Sequence, residues 1–148
     1  MYPAADIPVI QLSLLNNLDP LQHLAIGKAL QSIQYDELLV IGSGFSFHNM
    51  REFFAPDTEE RRAKNLAFEQ WLHTTLSDQN SSESERWDKM ASWTNAPYAR
   101  YCHPREEHLL PLHICYGLAG RKSDEQQSVT VLNKQSSAFV WRSKSDNN

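Results

Sequence analysis

The sequence predicts an α/β domain, on three observations taken in chain order. Val9 to Leu14 is an apolar run bounded by Pro8 and the Asn16-Asn17 turn signal, which reads as a strand. A helical pattern follows it, and then Glu37-Leu38-Leu39-Val40-Ile41-Gly42, a continuous apolar run ending in glycine. That last pattern suits a strand buried on both faces of a sheet flanked by helices. Strand, helix and strand in this order form a right-handed crossover unit. The segment Gly42 to Phe47 then emerges at the carboxyl edge of the sheet, where open α/β sheets bind ligands.

Each element has local support. Asp19 is a helix cap and Pro20 suits the first helical position, with Leu24, Ala25, Ala29 and Ile33 at helical spacing to about Ser32. Asp57 and Glu60 resemble a capping box for a helix reaching about Leu76, whose apolar face holds Leu66, Phe68, Trp71, Leu72 and Leu76. Asp78 to Ser84 is a polar loop. Ser82 and Glu85 form a second capping box, opening a helix with Trp87, Met90, Ala91 and Trp93. Pro97 to Tyr101 reads as irregular. Pro104 opens another helix with Glu106 and Glu107 in its first turn, a kink at Pro111 and an end near Gly117 or Gly120. Val129 to Leu132 and Ala138 to Trp141 read as a terminal hairpin, so residues 1–142 form one domain and 143–148 a polar tail.

Composition narrows the function classes. The chain has 148 residues, 41% hydrophobic and 22% charged, which describes one globular domain. A net charge of −4 without a clustered basic face argues against a nucleic-acid partner. No apolar stretch approaches the roughly 20 residues of a membrane span, and Met1 to Pro8 lacks the features of a signal peptide. With Cys102 and Cys115 read as reduced thiols, the expected location is cytoplasmic.

Six histidines hold the candidate chemistry. His48 lies just past Gly42-Ser43-Gly44, two glycines that permit a sharp turn and close approach of a bound group. A histidine there titrates near neutral pH and can move protons, or it can be a helix-start residue bonded to a neighbouring carbonyl. A dinucleotide fingerprint is not supported, because the third glycine is missing. His103, His108 and His113 are spaced by five, so on a helix successive members point about 140° apart and cannot share a metal. His108 lies on the stripe of Leu112 and Cys115, where a buried histidine needs a carboxylate, carbonyl or metal partner. A lone histidine on an apolar face is more often a satisfied core residue. His23, His73 and His113 read as ordinary helix or boundary residues.

Several segments together resemble the DOPA-dioxygenase-like branch of the class III extradiol ring-cleaving dioxygenases. They run from Ile7-Pro8-Val9-Ile10-Gln11-Leu12-Ser13 through Leu18-Asp19-Pro20 to Ile41-Gly42-Ser43-Gly44 with His48-Asn49-Met50-Arg51. The most specific are Ala96-Pro97-Tyr98-Ala99-Arg100 and His103-Pro104-Arg105-Glu106-Glu107-His108-Leu109-Leu110-Pro111-Leu112. The resemblance implies the C-terminal half of that fold, a partial sheet with flanking helices. It also implies non-haem Fe(II), with zinc as an alternative, acting on a catecholic diol and O2. His108 falls on the family's second-half metal ligand and His48 on its catalytic acid/base. Phe45, Phe47, Asn49 and His103 are expected near the substrate. The chain begins where the family is about halfway through, so two ligand histidines are expected from a partner chain or a dimer. The alternative is a non-catalytic remnant or interaction module that keeps the half-fold. A zinc hydrolase built on His48 and His108 lacks a visible ligand set.

Overall fold

The computed structural model describes residues 3–4, 6–33 and 38–143. Among the described residues six α-helices and two strands make up the fold. Helix α1 spans Pro20–Leu30, α2 Met50–Phe53, α3 Glu59–Ser77, α4 Glu83–Ala91, α5 Ala99–Cys102 and α6 Leu110–Ala119, followed by strands β1 Glu125–Val131 and β2 Lys134–Val140. A 3₁₀ turn at Trp93–Asn95 joins α4 to α5.

Helix starts follow side-chain capping. Asp19 Oδ1 accepts from the Gln22 amide at 3.0 Å ahead of Pro20, as its sequence position anticipates. Ser82 and Glu85 close the expected reciprocal capping box. Two other starts differ from expectation. Thr58, not Asp57, caps α3, and Asp57 instead pairs with Arg62. Helix α6 begins at Leu110, six residues beyond Pro104, and places Glu106 and Glu107 in turns. Pro111 therefore sits in the first turn, where its missing N–H costs no helix bond, and causes no kink.

The two expected strands at the start of the chain do not pair among the described residues. Residues 9–14 and 38–42 form no ladder; Glu37 lies outside the described residues. Their apolar side chains face solvent, with Val9 89% and Ile10 94% exposed, and Leu39 and Ile41 67% and 66%. An apolar run specifies a face to bury but no partner to bury it against. The parallel crossover unit is thus replaced by one antiparallel hairpin, in which Glu125 faces Val140 and Val131 faces Lys134. Leu132 and Asn133 both take positive φ at its two-residue turn, the geometry that matches the strand twist. The hairpin is longer than the sequence pattern indicated. The tail beyond Ser143 lies outside the described residues.

Two apolar clusters form the interior. One gathers Phe47, Phe68, Leu72, Trp93, Cys102 and Leu109; the other gathers Leu24, Leu76, Met90 and Tyr116. Trp71, Leu112 and Phe139 pack against both and join them. Helices α1 and α6 cross through facing glycines. A methyl group on Gly27 would lie 2.1 Å from the Ile114 carbonyl oxygen, and one on Gly117 2.3 Å from that of Leu24. Both obstacles are backbone, so Gly27→Ala is expected to cost about 1–3 kcal/mol, read as a lower urea midpoint with unchanged slope. No helix among the described residues is long and apolar enough to cross a membrane.

Candidate active site

The loop from Gly42 to Asn49 runs over the start of α6, and its glycines are required by that passage. A Cβ at Gly44 would stand 2.2 Å from the His108 carbonyl oxygen, and one at Gly42 2.6 Å from Cys115 Sγ and 2.9 Å from the Pro111 carbonyl. Neither glycine has a positive φ, so they serve close backbone approach rather than a left-handed turn. The consequence is that the loop is laid directly on the segment carrying His108.

Three hydrogen bonds fasten the far end of the loop to α5. The His48 amide donates to the Cys102 carbonyl at 2.9 Å, His103 Nε2 donates to the Ser46 carbonyl at 2.6 Å, and Asn49 Nδ2 donates to the Tyr101 carbonyl at 2.7 Å. Asn49 also caps α2 by accepting from the Glu52 amide at 3.3 Å. With both ends fixed, the His48 and His108 rings stack, their centroids 3.3 Å apart and their planes 24° from parallel. Burial first, and then the neighbouring His108 ring, hold the His48 imidazole below its ordinary value. It is therefore neutral at neutral pH and able to accept a proton.

His108 opens onto a groove of about 870 Å³ that Gly42, Gly44, Ser46, Leu112, Cys115 and Ser137 also line. This volume lies within the range of small-molecule sites. Cys102 and Cys115 are free thiols, both pushed up by burial, so neither is an activated nucleophile.

The other anticipated site residues sit differently. Phe47 is fully buried, edge-on to Phe53 at 5.1 Å, and Phe45 packs against Phe53 at 5.9 Å. Asn49 is a cap and a loop fastener. His103 is fully buried between Phe68 and Trp93; burial pushes its imidazole down to about 4. None of these four lines the groove, and His48 reaches it only through its contact with His108.

His113 and His23, read from the sequence as ordinary helix residues, are also fully buried. His113 Nε2 faces the Met90 carbonyl at 2.9 Å and Nδ1 that of Leu109 at 3.1 Å, and burial holds it near 4. His23 donates from Nδ1 to the Asp19 carbonyl at 2.6 Å and accepts the Leu15 amide on Nε2 at 3.1 Å. Both are structural.

Sequence reasoning missed Glu69, a buried carboxyl group behind the groove. Its signal was present: Asn65, Glu69, Leu72 and Leu76 share one stripe of α3, placing a carboxylate in an apolar row. Burial raises Glu69 to about 7, partly offset by hydrogen bonds from Ser137 and Ser46. A raised carboxyl pKa gives stability that is complete below about 4.5 and lost as pH rises through about 7. His103 and His113, held low, act with the opposite sign over nearly the same window. The Glu69 contribution is therefore isolated by comparing wild type with Glu69→Gln. Their difference in unfolding free energy is expected to move against wild type by about 3 kcal/mol between pH 4.5 and 7.5, measured by urea denaturation.

Comparison with known proteins supplies the family. Residues 1–140 match the catalytic LigB subunit of aromatic ring-opening dioxygenase. The chain belongs to this family. Its sequence is 37% identical over 123 residues to a 4,5-DOPA dioxygenase extradiol of Beta vulgaris, covering 83% of this chain and 44% of that protein. It is 34% identical over 125 residues to dioxygenase tasH of Hapsidospora irregularis, covering 79% and 38%. A 4,5-DOPA dioxygenase extradiol-like protein of Schizosaccharomyces pombe is 32% identical over 140 residues, 94% of this chain and 45% of the relative. The chain thus spans less than half the length of each of these relatives.

The described residues contain no group of three or more His, Cys, Asp or Glu able to hold a metal ion. His108 offers one imidazole to the groove. These residues alone do not form a metal site.

Proposed function

We propose that this chain forms the His48 side of the site in an aromatic ring-opening dioxygenase, cleaving a catecholic diol beside its hydroxyl groups with O2. The observation that carries the reading is the stacked His48–His108 pair, in which His108 lines the groove and His48 lies against it, beside glycines that admit no side chain. In this reading His108 gives one ligand to Fe(II), and residues outside the described set complete the coordination. Fe(II) suits imidazole ligands and open positions for O2, and Zn(II) is the competing occupant. Held in a completed centre, the metal supplies binding and activation of O2 and the diol.

The chain's own part is proton handling and exclusion of water. His48 is neutral, hydrogen-bonded through its backbone to α5, and fixed against His108. It accepts the proton of a diol hydroxyl placed in the groove and returns it later in the reaction, the role of a general base and then acid. Leu109, Leu112 and Phe139 give the groove apolar walls that suit an aromatic ring.

The exposed apolar segments at 7–12 and 38–41 fit the same picture. In this reading they are apolar segments that would pair as strands with the remaining part of the family's domain, in the same polypeptide, a partner chain or a dimer. The expected setting is cytoplasmic.

The test is oxygen uptake with DOPA and with protocatechuate, using the chain combined with a polypeptide that supplies the rest of the family's domain. One O2 consumed per diol, with a ring-opened product, is the expected result. A folded, iron-loaded assembly that consumes no oxygen with either diol would overturn the reading.

A further inference from the structure

Behind the groove lies a polar cluster that joins α3, the 44–48 loop and β2. Glu69 is almost fully buried, and its two carboxyl oxygens meet two hydroxyls: Oε1 lies 2.8 Å from Ser46 Oγ, and Oε2 bonds Ser137 Oγ. Ser46 Oγ lies 2.7 Å from Ser136 Oγ and accepts the Ser137 amide at 2.7 Å, while the Ser46 amide donates to Ser136 Oγ at 3.2 Å. Ser137 Oγ is also 2.8 Å from His73 Nε2. Ser46 is the residue whose carbonyl holds His103, and it lies two positions before His48. Both Ser46 and Ser137 line the groove.

Each serine hydroxyl carries one hydrogen, so the direction of every bond in this cluster follows from the next. With Glu69 ionised, Ser46 and Ser137 both donate to it, Ser136 donates to Ser46, and His73 donates to Ser137. With Glu69 protonated, one of those bonds reverses, and its serine turns its hydrogen away toward Ser136 or His73. Such a chain polarises and reorganises together in a low-dielectric interior.

We infer that Glu69 is a positioning residue of this site, its carboxyl group setting the direction of the hydroxyl chains at Ser46 and Ser137 and so the hold on the 44–48 loop that presents His48. The catalytic meaning rests on the ring-opening reading; the hold on the loop does not. Other titratable groups face the cluster from each neighbouring element. They are His73 on α3, Cys102 on α5, His103 just beyond it, and buried Lys134 on β2, whose Nζ lies 5.7 Å from the Phe47 ring. Burial, with Glu69 second, raises the Cys102 thiol far above neutrality, and His103 is held near 4. His73 is held below its ordinary value by burial. Cys102 and His103 therefore do not titrate with Glu69 near pH 7.

The test is NMR of the whole 148-residue chain without iron, following the Glu69 side-chain carboxyl carbon and the amides of Ser46, Phe47, Ser136 and Ser137 from pH 5 to 8.5. The expected result is one transition near pH 7 shared by the carboxyl carbon and the four amides. In Glu69→Gln, which keeps one donor and one acceptor, the amides are expected to stay at their low-pH positions throughout. A transition that persists in Glu69→Gln would assign it to a histidine and overturn the inference. So would a Glu69 titration in wild type that leaves the Ser46 and Phe47 amides unmoved, a result that needs no variant. Loss of ring cleavage in the assembled enzyme with these shifts intact would instead count against the proposed function alone.

Discussion

Replacing His48 with Gln in the assembled dioxygenase is expected to lower kcat by about 10²–10⁴-fold, the usual contribution of a positioned general acid–base. Gln keeps hydrogen-bonding capacity but has no proton to exchange near neutral pH. The backbone bond from residue 48 to Cys102 and the Asn49 cap do not depend on the imidazole, so the loop is expected to stay in place. Iron content should be unchanged and KM altered far less than kcat, because the loss falls on the chemical step. His108→Ala is expected to do the reverse, reducing iron content together with activity. Metal analysis alongside steady-state oxygen uptake separates the two. Equal loss of metal in both variants would contradict the division of roles.

The largest expected effect on stability is at Arg86. This side chain is buried, with Nη1 donating to the Thr75 carbonyl, Nη2 to those of Asp78 at 3.0 Å and Ser81 at 3.3 Å, and Nε to Glu83 at about 3.2 Å. Thr75 and Asp78 lie in the last turn and at the end of α3, where helix carbonyls lack intrahelical partners. One guanidinium thus closes the end of α3 and ties it to the start of α4. Arg86→Ala leaves buried carbonyls unsatisfied and opens a large cavity, at a cost of about 3–5 kcal/mol. Arg86→Lys retains the charge but cannot fork across three carbonyls, so most of the loss is expected to remain. Urea denaturation of both variants checks this. A cost under about 1 kcal/mol for Arg86→Ala would show that water replaces the guanidinium.

These two residues differ in how far the sequence revealed them. Local capping was readable: Asp19 with Pro20, and Ser82 with Glu85, need only neighbours in the chain. The hairpin was readable too, although its length is set by pairing across the turn. His48 and His108 emerged through motif resemblance, while their stacking came from Gly42 and Gly44 crossing the α6 start, a long-range contact that spacing does not encode. The expected helix from Pro104 failed because residues 104–109 are drawn into turns that bring His108 under the loop. No sequence motif marks Arg86 or Glu69. Each lies within an otherwise amphipathic helix, and only the fold shows that its partners are carbonyls and serines distant in sequence. The strands at 9–14 and 38–42 illustrate the same limit, since pattern gives a face but never its partner.

The most direct test of the central claim is anaerobic Fe(II) titration of this chain, of its His108→Ala variant, and of each combined with the rest of the family's domain. Weak, substoichiometric iron binding is expected of the chain alone. One Fe(II) per assembly is expected in the combination, reduced by His108→Ala. Tight one-to-one binding by the chain alone, retained in His108→Ala and accompanied by ring cleavage, would contradict that claim.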